Sequence, residues 1–244
     1  MVSQSGRQGT PRHPMVESSS AQEVEIRAGK TPLEGTLAIP DGAAGLVLFA
    51  HGSGSSRQSP RNGHVARVLQ QHKIGTLLFD LLTREEESID ETSGALRFDI
   101  PFLARRLLQA TQWVTRSAEL CRLKIGYFGA STGAAAALVA AAEWPDRVCA
   151  IVSRGGRPDL AAEALGSVRA PTLLIVGGND RPVTAMNEQA LGKLRCERNL
   201  VIVRGATHLF EEPGTLEEVA RLAAEWFKQY LSNSTEPNVS TPAF

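Results

Sequence analysis

The chain has 244 residues, and 26 Lys+Arg balance 26 Asp+Glu, so its formal net charge is zero. A protein that tracks a phosphate backbone or an anionic membrane usually carries a basic surplus, and none is present in the sum. Aromatic residues make up only 5%, which argues against base stacking, while 42% hydrophobic content suits a folded α/β domain of ordinary size.

Residues 1–22 are rich in Ser, Gln, Pro and Gly and are expected to be disordered. The folded domain is expected over residues 23–231. Val24–Ile26 and Leu33–Ile39 read as a leading hairpin with Gly29-Lys30 in its turn. Gly45–Ala50 is a short, continuously apolar run, as expected of a buried strand, and His51-Gly52-Ser53-Gly54 breaks it. Asn62–His72 has helical spacing, and its His64 and His72 are expected to be solvated. Thr76–Leu82 reads as a strand and Thr83–Thr92 as a polar, acidic loop. Phe98–Ala118 is an amphipathic helix that tolerates Pro101 near its first turn.

The second half repeats this alternation. Strands are expected at Lys124–Phe128, Val148–Ser153, Pro171–Val176 and Asn199–Val203. Helices are expected at Thr132–Glu143, Leu160–Leu165, Thr184–Lys193 and Leu216–Leu231. Residues 232–244 return to a polar composition and are expected to be disordered. Strands that alternate with helices imply right-handed crossovers and a mostly parallel sheet covered on both faces. Ligands of such sheets bind beyond the C-terminal ends of the strands.

The chemistry-bearing residues sit at those ends. Gly129-Ala130-Ser131-Thr132-Gly133 joins a strand directly to a helix, the context of a nucleophile elbow. The turn is tight, so small residues must flank the serine. A serine hydroxyl needs a base to act at neutral pH. Asp180 follows the strand that ends in Val176-Gly177-Gly178-Asn179, and His208 follows the last strand in Ala206-Thr207-His208. The order Ser, acid, His gives Ser131 as nucleophile, His208 as general base and Asp180 as the group that fixes the imidazole tautomer. Backbone N–H groups of Thr132 and Ser53 are the expected oxyanion donors. His51 reads as a brace for its loop, and His13 falls in the polar N-terminus.

Arg57, Arg61, Arg84, Arg154, Arg157 and Arg181 all follow strand ends. One or more of these arginines, Arg57 and Arg61 first, are candidates to bind an anionic substrate group. The alternative is internal pairing with Glu85, Glu86, Glu87, Asp159, Glu211 or Glu212. Cys121, Cys149 and Cys196 show no metal-ligand or disulfide spacing and read as reduced thiols of a cytoplasmic protein, with Cys149 a small core residue. No metal or organic cofactor is expected. No run nears the about 18 apolar residues of a membrane span.

On these motifs the chain resembles serine hydrolases of the α/β-hydrolase fold, nearest to the dienelactone hydrolase-like group. The resemblance implies a small-molecule ester or lactone substrate. Dienelactone hydrolases in the strict sense use cysteine where this chain has Ser131, which favours a general carboxylesterase-like activity. Only Arg154–Ala170 separates the sixth and seventh strands, so no large cap is expected. Thioesterase or peptidase activity through the same triad stays open. So do a non-catalytic binding role and the oligomeric state.

Overall fold

The computed structural model describes residues 21–27 and 31–232. The expected Gly29-Lys30 turn, His13 and the polar C-terminal tail beyond residue 232 lie outside them. Eight strands form one sheet: β1 (Gln22–Ile26), β2 (Leu33–Ala38), β3 (Gly45–Ala50), β4 (Gly75–Phe79), β5 (Lys124–Ala130), β6 (Val148–Arg154), β7 (Thr172–Gly177) and β8 (Arg198–Val203). Their order is β1-β2-β4-β3-β5-β6-β7-β8. β1 and β2 run antiparallel to their neighbours, and every pairing from β4 to β8 is parallel.

The parallel strands are buried on both faces, so β3, β4 and β7 read as unbroken apolar runs rather than alternating ones. One face packs against α1 (Pro60–Gln71) and α6 (Thr215–Leu231) around Val47, Phe49, Phe128, Val152 and Ile175. The other packs against α3 (Ile100–Arg116) and α4 (Thr132–Glu143) around Leu48, Tyr127 and Ile151. A 3-10 segment (Pro158–Ser167) packs against α4, and α5 (Arg181–Lys193) packs against that segment, β7 and β8. Alanines Ala134–Ala137 are fully enclosed. α4 is therefore the central helix, and its small side chains let it lie close to the sheet.

One segment departs from the sequence reading. Thr83–Thr92 is not a loop, because α2 spans Arg84–Ser93. Thr83 Oγ1 accepts the Glu86 N–H at 3.2 Å, and the Glu86 carboxylate accepts the Thr83 N–H at 2.9 Å. This reciprocal cap satisfies two amides that the helix start leaves without acceptors. Glu85, Glu86 and Glu87 lie in the first turn, at the positive end of the helix dipole, and Gly94 closes the helix at φ 63°. Asp90 is buried, and its carboxylate accepts the Leu96 and Arg97 amides and the Arg97 Nε. Burial opposes ionisation there, but these bonds prevail and hold Asp90 below the usual carboxylate range.

Between β6 and β7 the chain forms only the 3-10 segment, so no cap domain covers this edge. All three cysteines are free thiols, and Cys149 is half-buried against the α1/α6 core. No helix among the described residues is long and apolar enough to cross a membrane.

Candidate functional site

Ser131 sits between β5 and α4 at φ 49° and ψ −119°. A non-glycine residue held there stores about 1 to 3 kcal/mol of backbone strain, which the surrounding packing must offset. The flanking glycines permit the turn. A Cβ at Gly129 would lie 2.4 Å from the Ala134 Cα, and one at Gly133 would lie 2.2 Å from the Ala50 carbonyl oxygen. The Ser131 N–H donates to the Arg154 carbonyl at 3.3 Å, and the Ser131 carbonyl accepts from the Arg157 and Ala134 amides. The serine is thus fixed at the sheet's C-terminal edge, directly beside the end of β6.

His208 and Asp180 meet. His208 Nδ1 lies 2.7 Å from Asp180 Oδ2, with the carboxylate 13% exposed and the imidazole 39% exposed. Ionised, the carboxylate only accepts, so Nδ1 carries the proton and Nε2 is left as the basic nitrogen. The Asp180 amide is turned back onto the Gly177 carbonyl and the Asn179 amide onto the Ala206 carbonyl, which ties the acid loop to the histidine loop. Phe210, at φ 57° and fully buried, anchors the histidine loop from below. The His208 ring lies over Gly155, where an added Cβ would come within 3.4 Å of Nδ1. Among the described residues no hydrogen bond joins Ser131 Oγ to His208. Such bonds are often long without substrate and tighten in the complex.

The two expected oxyanion donors differ in availability. Thr132 opens α4, in the first turn, where helix amides lack intrahelical acceptors. The Ser53 N–H is already engaged and donates to Thr132 Oγ1 at 3.0 Å. Thr132 is buried, and its hydroxyl needs a partner in that position. Ser53 can therefore reach a substrate oxygen only after releasing Thr132. Gly52 passes close to Ser131, with its Cβ position 3.1 Å from Ser131 Cβ.

His51 is a brace. Its Nε2 accepts the Leu81 N–H at 3.0 Å, and its Nδ1 donates to the Gly52 carbonyl at 3.0 Å. Burial pushes its imidazole below the usual histidine range, so it is neutral and locks the loop after β3 to the end of β4. His72 is exposed, whereas His64 Nε2 is enclosed without a partner, so His64 is not simply solvated.

Arg57 is engaged by acids of the protein itself. Its guanidinium pairs with Asp80, with Glu34 at 2.8 Å and with Glu23 at 3.7 Å, and its backbone N–H also donates to Asp80. These acids come from β1, β2 and the end of β4, and none is among the acids that sequence proximity suggested. Arg61 pairs with Glu211 at 3.1 Å, as internal pairing would have it, but its Nε is enclosed without a partner. Arg157 pairs with Asp159 at 2.8 Å. Asp80 is the site-edge residue that sequence reasoning passed over, since only the pairing of β2 with β4 brings it and Glu34 to Arg57.

A cavity of about 290 Å³ opens beside the loop after β3. Ser53 and Thr132 form one wall, Leu82 and Leu103 add apolar surface, and Glu87 and Glu91 of α2 line the far side. Burial, then the charges of Asp80 and Glu91, raise the Glu87 carboxyl above its usual range.

Comparison with known proteins places this site in a family. Residues 67–232 match the family model of the dienelactone hydrolase family. The chain belongs to the dienelactone hydrolase family. A solved dienelactone hydrolase from Anabaena variabilis is 61% identical, with a TM-score of 0.86, over 87% of this chain and 99% of that one. A Xanthomonas campestris protein described as an α/β serine hydrolase without lid shares the fold at 19% identity, with a TM-score of 0.70, over 92% of this chain and all of that one. Two curated Mycobacterium tuberculosis proteins, each named "Putative phosphoribosyl transferase", are 55% identical over 210 residues, 86% of this chain. This chain spans only 46% of their length, and the transferase name describes those proteins whole. Family membership supports a hydrolase on an α/β-hydrolase fold.

Proposed function

We propose that the chain is a serine hydrolase that cleaves a carboxylic ester or lactone through an acyl-enzyme. The observation that carries this reading is the strained Ser131 elbow set at the same sheet edge as the His208–Asp180 pair at 2.7 Å. Ser131 Oγ attacks the carbonyl carbon and gives its proton to His208 Nε2. The tetrahedral oxyanion is met by the Thr132 N–H and, once Thr132 Oγ1 lets go, by the Ser53 N–H. The C–O bond to the leaving group breaks, and the leaving oxygen takes the proton from His208. A water then gives a proton to His208 and attacks the acyl carbon, the Ser131 Oγ–acyl bond breaks, and His208 returns the proton to Ser131 Oγ as the acid leaves. Asp180 keeps Nδ1 protonated and stabilises the imidazolium in both halves.

The test uses p-nitrophenyl acetate and butyrate with a fluorophosphonate probe. The full chain should turn over both esters and take the probe at Ser131. Ser131→Ala should lose at least about a thousandfold in kcat and all labelling while melting normally. Full turnover by that variant would refute the mechanism. The same panel extended to thioesters and peptides decides between leaving groups, since the triad chemistry serves all of them.

A further inference from the structure

We infer that Arg154 and Arg61 form a binding site for a small oxyanion, the carboxylate or phosphate class, beside the His208 loop. Arg154 ends β6 and is 8% exposed. Its Nε and Nη1 are both enclosed without a hydrogen-bond partner, and no carboxylate pairs with it among the described residues. A buried guanidinium with no counter-charge is costly, and proteins rarely keep one without an anion to meet it. Arg61 stands close enough to add to the effect of burial in lowering the Arg154 pKa, to about 10, so Arg154 still carries its charge at neutral pH.

Neighbouring residues tie the two arginines to one place. The Arg154 guanidinium carbon lies 6.0 Å from the centre of the Phe210 ring, and Arg61 Nη1 lies 3.1 Å from the carboxylate of the next residue, Glu211. Arg61 also holds an enclosed, unpartnered Nε. His64, three residues on and so on the same side of α1, has an unpartnered Nε2. Enclosed donors left open on β6 and α1 match the needs of an oxygen-rich anion, and the planar guanidinium fork suits carboxylate and phosphate alike. The Arg61 side chain is 31% exposed, so this edge of the cluster meets solvent. The site is next to the chemistry, because the Arg154 carbonyl accepts the Ser131 N–H and Gly155 underlies His208.

Binding is read first in the full chain carrying Ser131→Ala, so the result does not depend on hydrolysis. Inorganic phosphate and acetate are titrated by calorimetry at constant ionic strength, with chloride as the control. At least one should bind saturably, and Arg154→Met or Arg61→Gln should each weaken it tenfold or more. Absence of saturable binding, or unchanged affinity in the variants, overturns the proposal. If Arg154→Met fails to fold, Arg61→Gln, at a partly exposed helix position, still decides. The second arm rests on the ester-hydrolase reading and asks where the anion comes from. The ratio of kcat/KM for mono-p-nitrophenyl succinate over p-nitrophenyl acetate is compared across the same variants on the Ser131 background. A tenfold fall in that ratio, with phosphate competing against the succinate ester, supports the site with the substrate's own acid as its ligand. Retained phosphate binding with an unchanged ratio supports it with a free anion as its ligand. Failure to hydrolyse either ester overturns the hydrolase reading and leaves the binding result standing.

Discussion

Gly133→Ala should unseat the nucleophile. The added Cβ would lie 2.2 Å from the Ala50 carbonyl oxygen, 2.4 Å from the His51 carbonyl oxygen and 2.6 Å from the Ala50 carbonyl carbon. Ordinary contact begins near 3.4 Å, so 3.4 Å against 2.2 Å leaves a shortfall of about 1.2 Å. All three obstacles are backbone, so no rotamer change relieves them. Either α4 must back away from β3 or the loop carrying His51 and Ser53 must move. Overpacking a core costs about 1 to 3 kcal/mol, and a clash against main chain belongs at the upper end. About 3 kcal/mol lowers the Tm of a domain this size by roughly 6 to 12 °C. Moving the serine by about 1 Å relative to its partners should also cost about a hundredfold in ester turnover. Differential scanning fluorimetry and p-nitrophenyl butyrate kinetics read the two effects. Gly192→Ala is the control. It lies in α5 with nothing within 4 Å of its Cβ position, so it should gain about 0.8 to 1.0 kcal/mol of helix propensity and leave kinetics alone. A Gly133→Ala protein within about 2 °C of the parent Tm and within about threefold of its rate would refute the packing argument for the elbow.

Arg57→Ala should destabilise the fold by the low end of about 3 to 5 kcal/mol, because it strips a mostly buried Asp80 of its partner while Glu34 stays half exposed. Anionic and neutral esters should lose rate equally, and a selective loss on the anionic ester would show that the guanidinium does meet substrate. His51 gives a pH signature. Its folded pKa lies below the unfolded value near 6.5, so the unfolded chain binds the proton first as pH falls. Its contribution is therefore complete above about pH 6.5 and is lost progressively below it. His51→Gln should flatten the decline in Tm between about pH 7.5 and about pH 5.5, and an unchanged decline would mean that this imidazole is not held neutral. Thr83→Ala removes one half of the cap on α2 and should cost about 1 kcal/mol by urea melt, whereas a loss under about 0.3 kcal/mol would mean that the cap does not hold the helix.

How much was legible depended on whether the partners were close in sequence. Ser131 was readable because the elbow is local: strand, small residue, serine, glycine and helix follow one another without a gap. Asp180 and His208 were readable by their order after strand ends, and the structure brings them to 2.7 Å. The capping box of α2 was also present in Thr83-Arg84-Glu85-Glu86, but the apolar content that normally marks a helix was missing. Asp90 is its only buried residue, and Ile89 is 62% exposed. A buried carboxylate bound to Arg97 does the anchoring that leucines usually do, and hydrophobic periodicity is blind to that. The role of Arg57 was unreadable for another reason. Glu34 and Asp80 meet it only because β2 pairs with β4, a neighbourhood that the strand order creates. The engagement of the Ser53 amide likewise depends on one side chain, Thr132, that is 79 residues away.

The neutral total of 26 basic and 26 acidic residues conceals an uneven field across the site. Most charges near the strand ends cancel pairwise: Arg57 with Asp80, Arg97 with Asp90, Arg106 with Glu86 and Arg157 with Asp159. Two further charges of opposite sign stand at this edge among the described residues, a part-buried Glu87 and an enclosed Arg154. Glu87 lines the cavity on the side of β4, where burial and the neighbouring Asp80 and Glu91 raise its pKa. Arg154 ends β6 without a partner. The strand order β4-β3-β5-β6 sets these two on opposite sides of Ser131, which caps β5. On the proposed reading, a substrate lying across Ser131 would meet Glu87 and Glu91 at one end and two arginines at the other. Polarity of that kind fixes orientation rather than total affinity, because a reversed pose would place the anion against Glu87 and leave the arginines without one. An ester with its acid group on the acyl side and one with it on the leaving-group side have the same charge and composition. They should nonetheless differ in kcat/KM by tenfold or more, since only one can hold its carbonyl over Ser131 while its acid reaches Arg154. Equal rates for the two isomers would mean that the field across Ser131 does not orient what binds there.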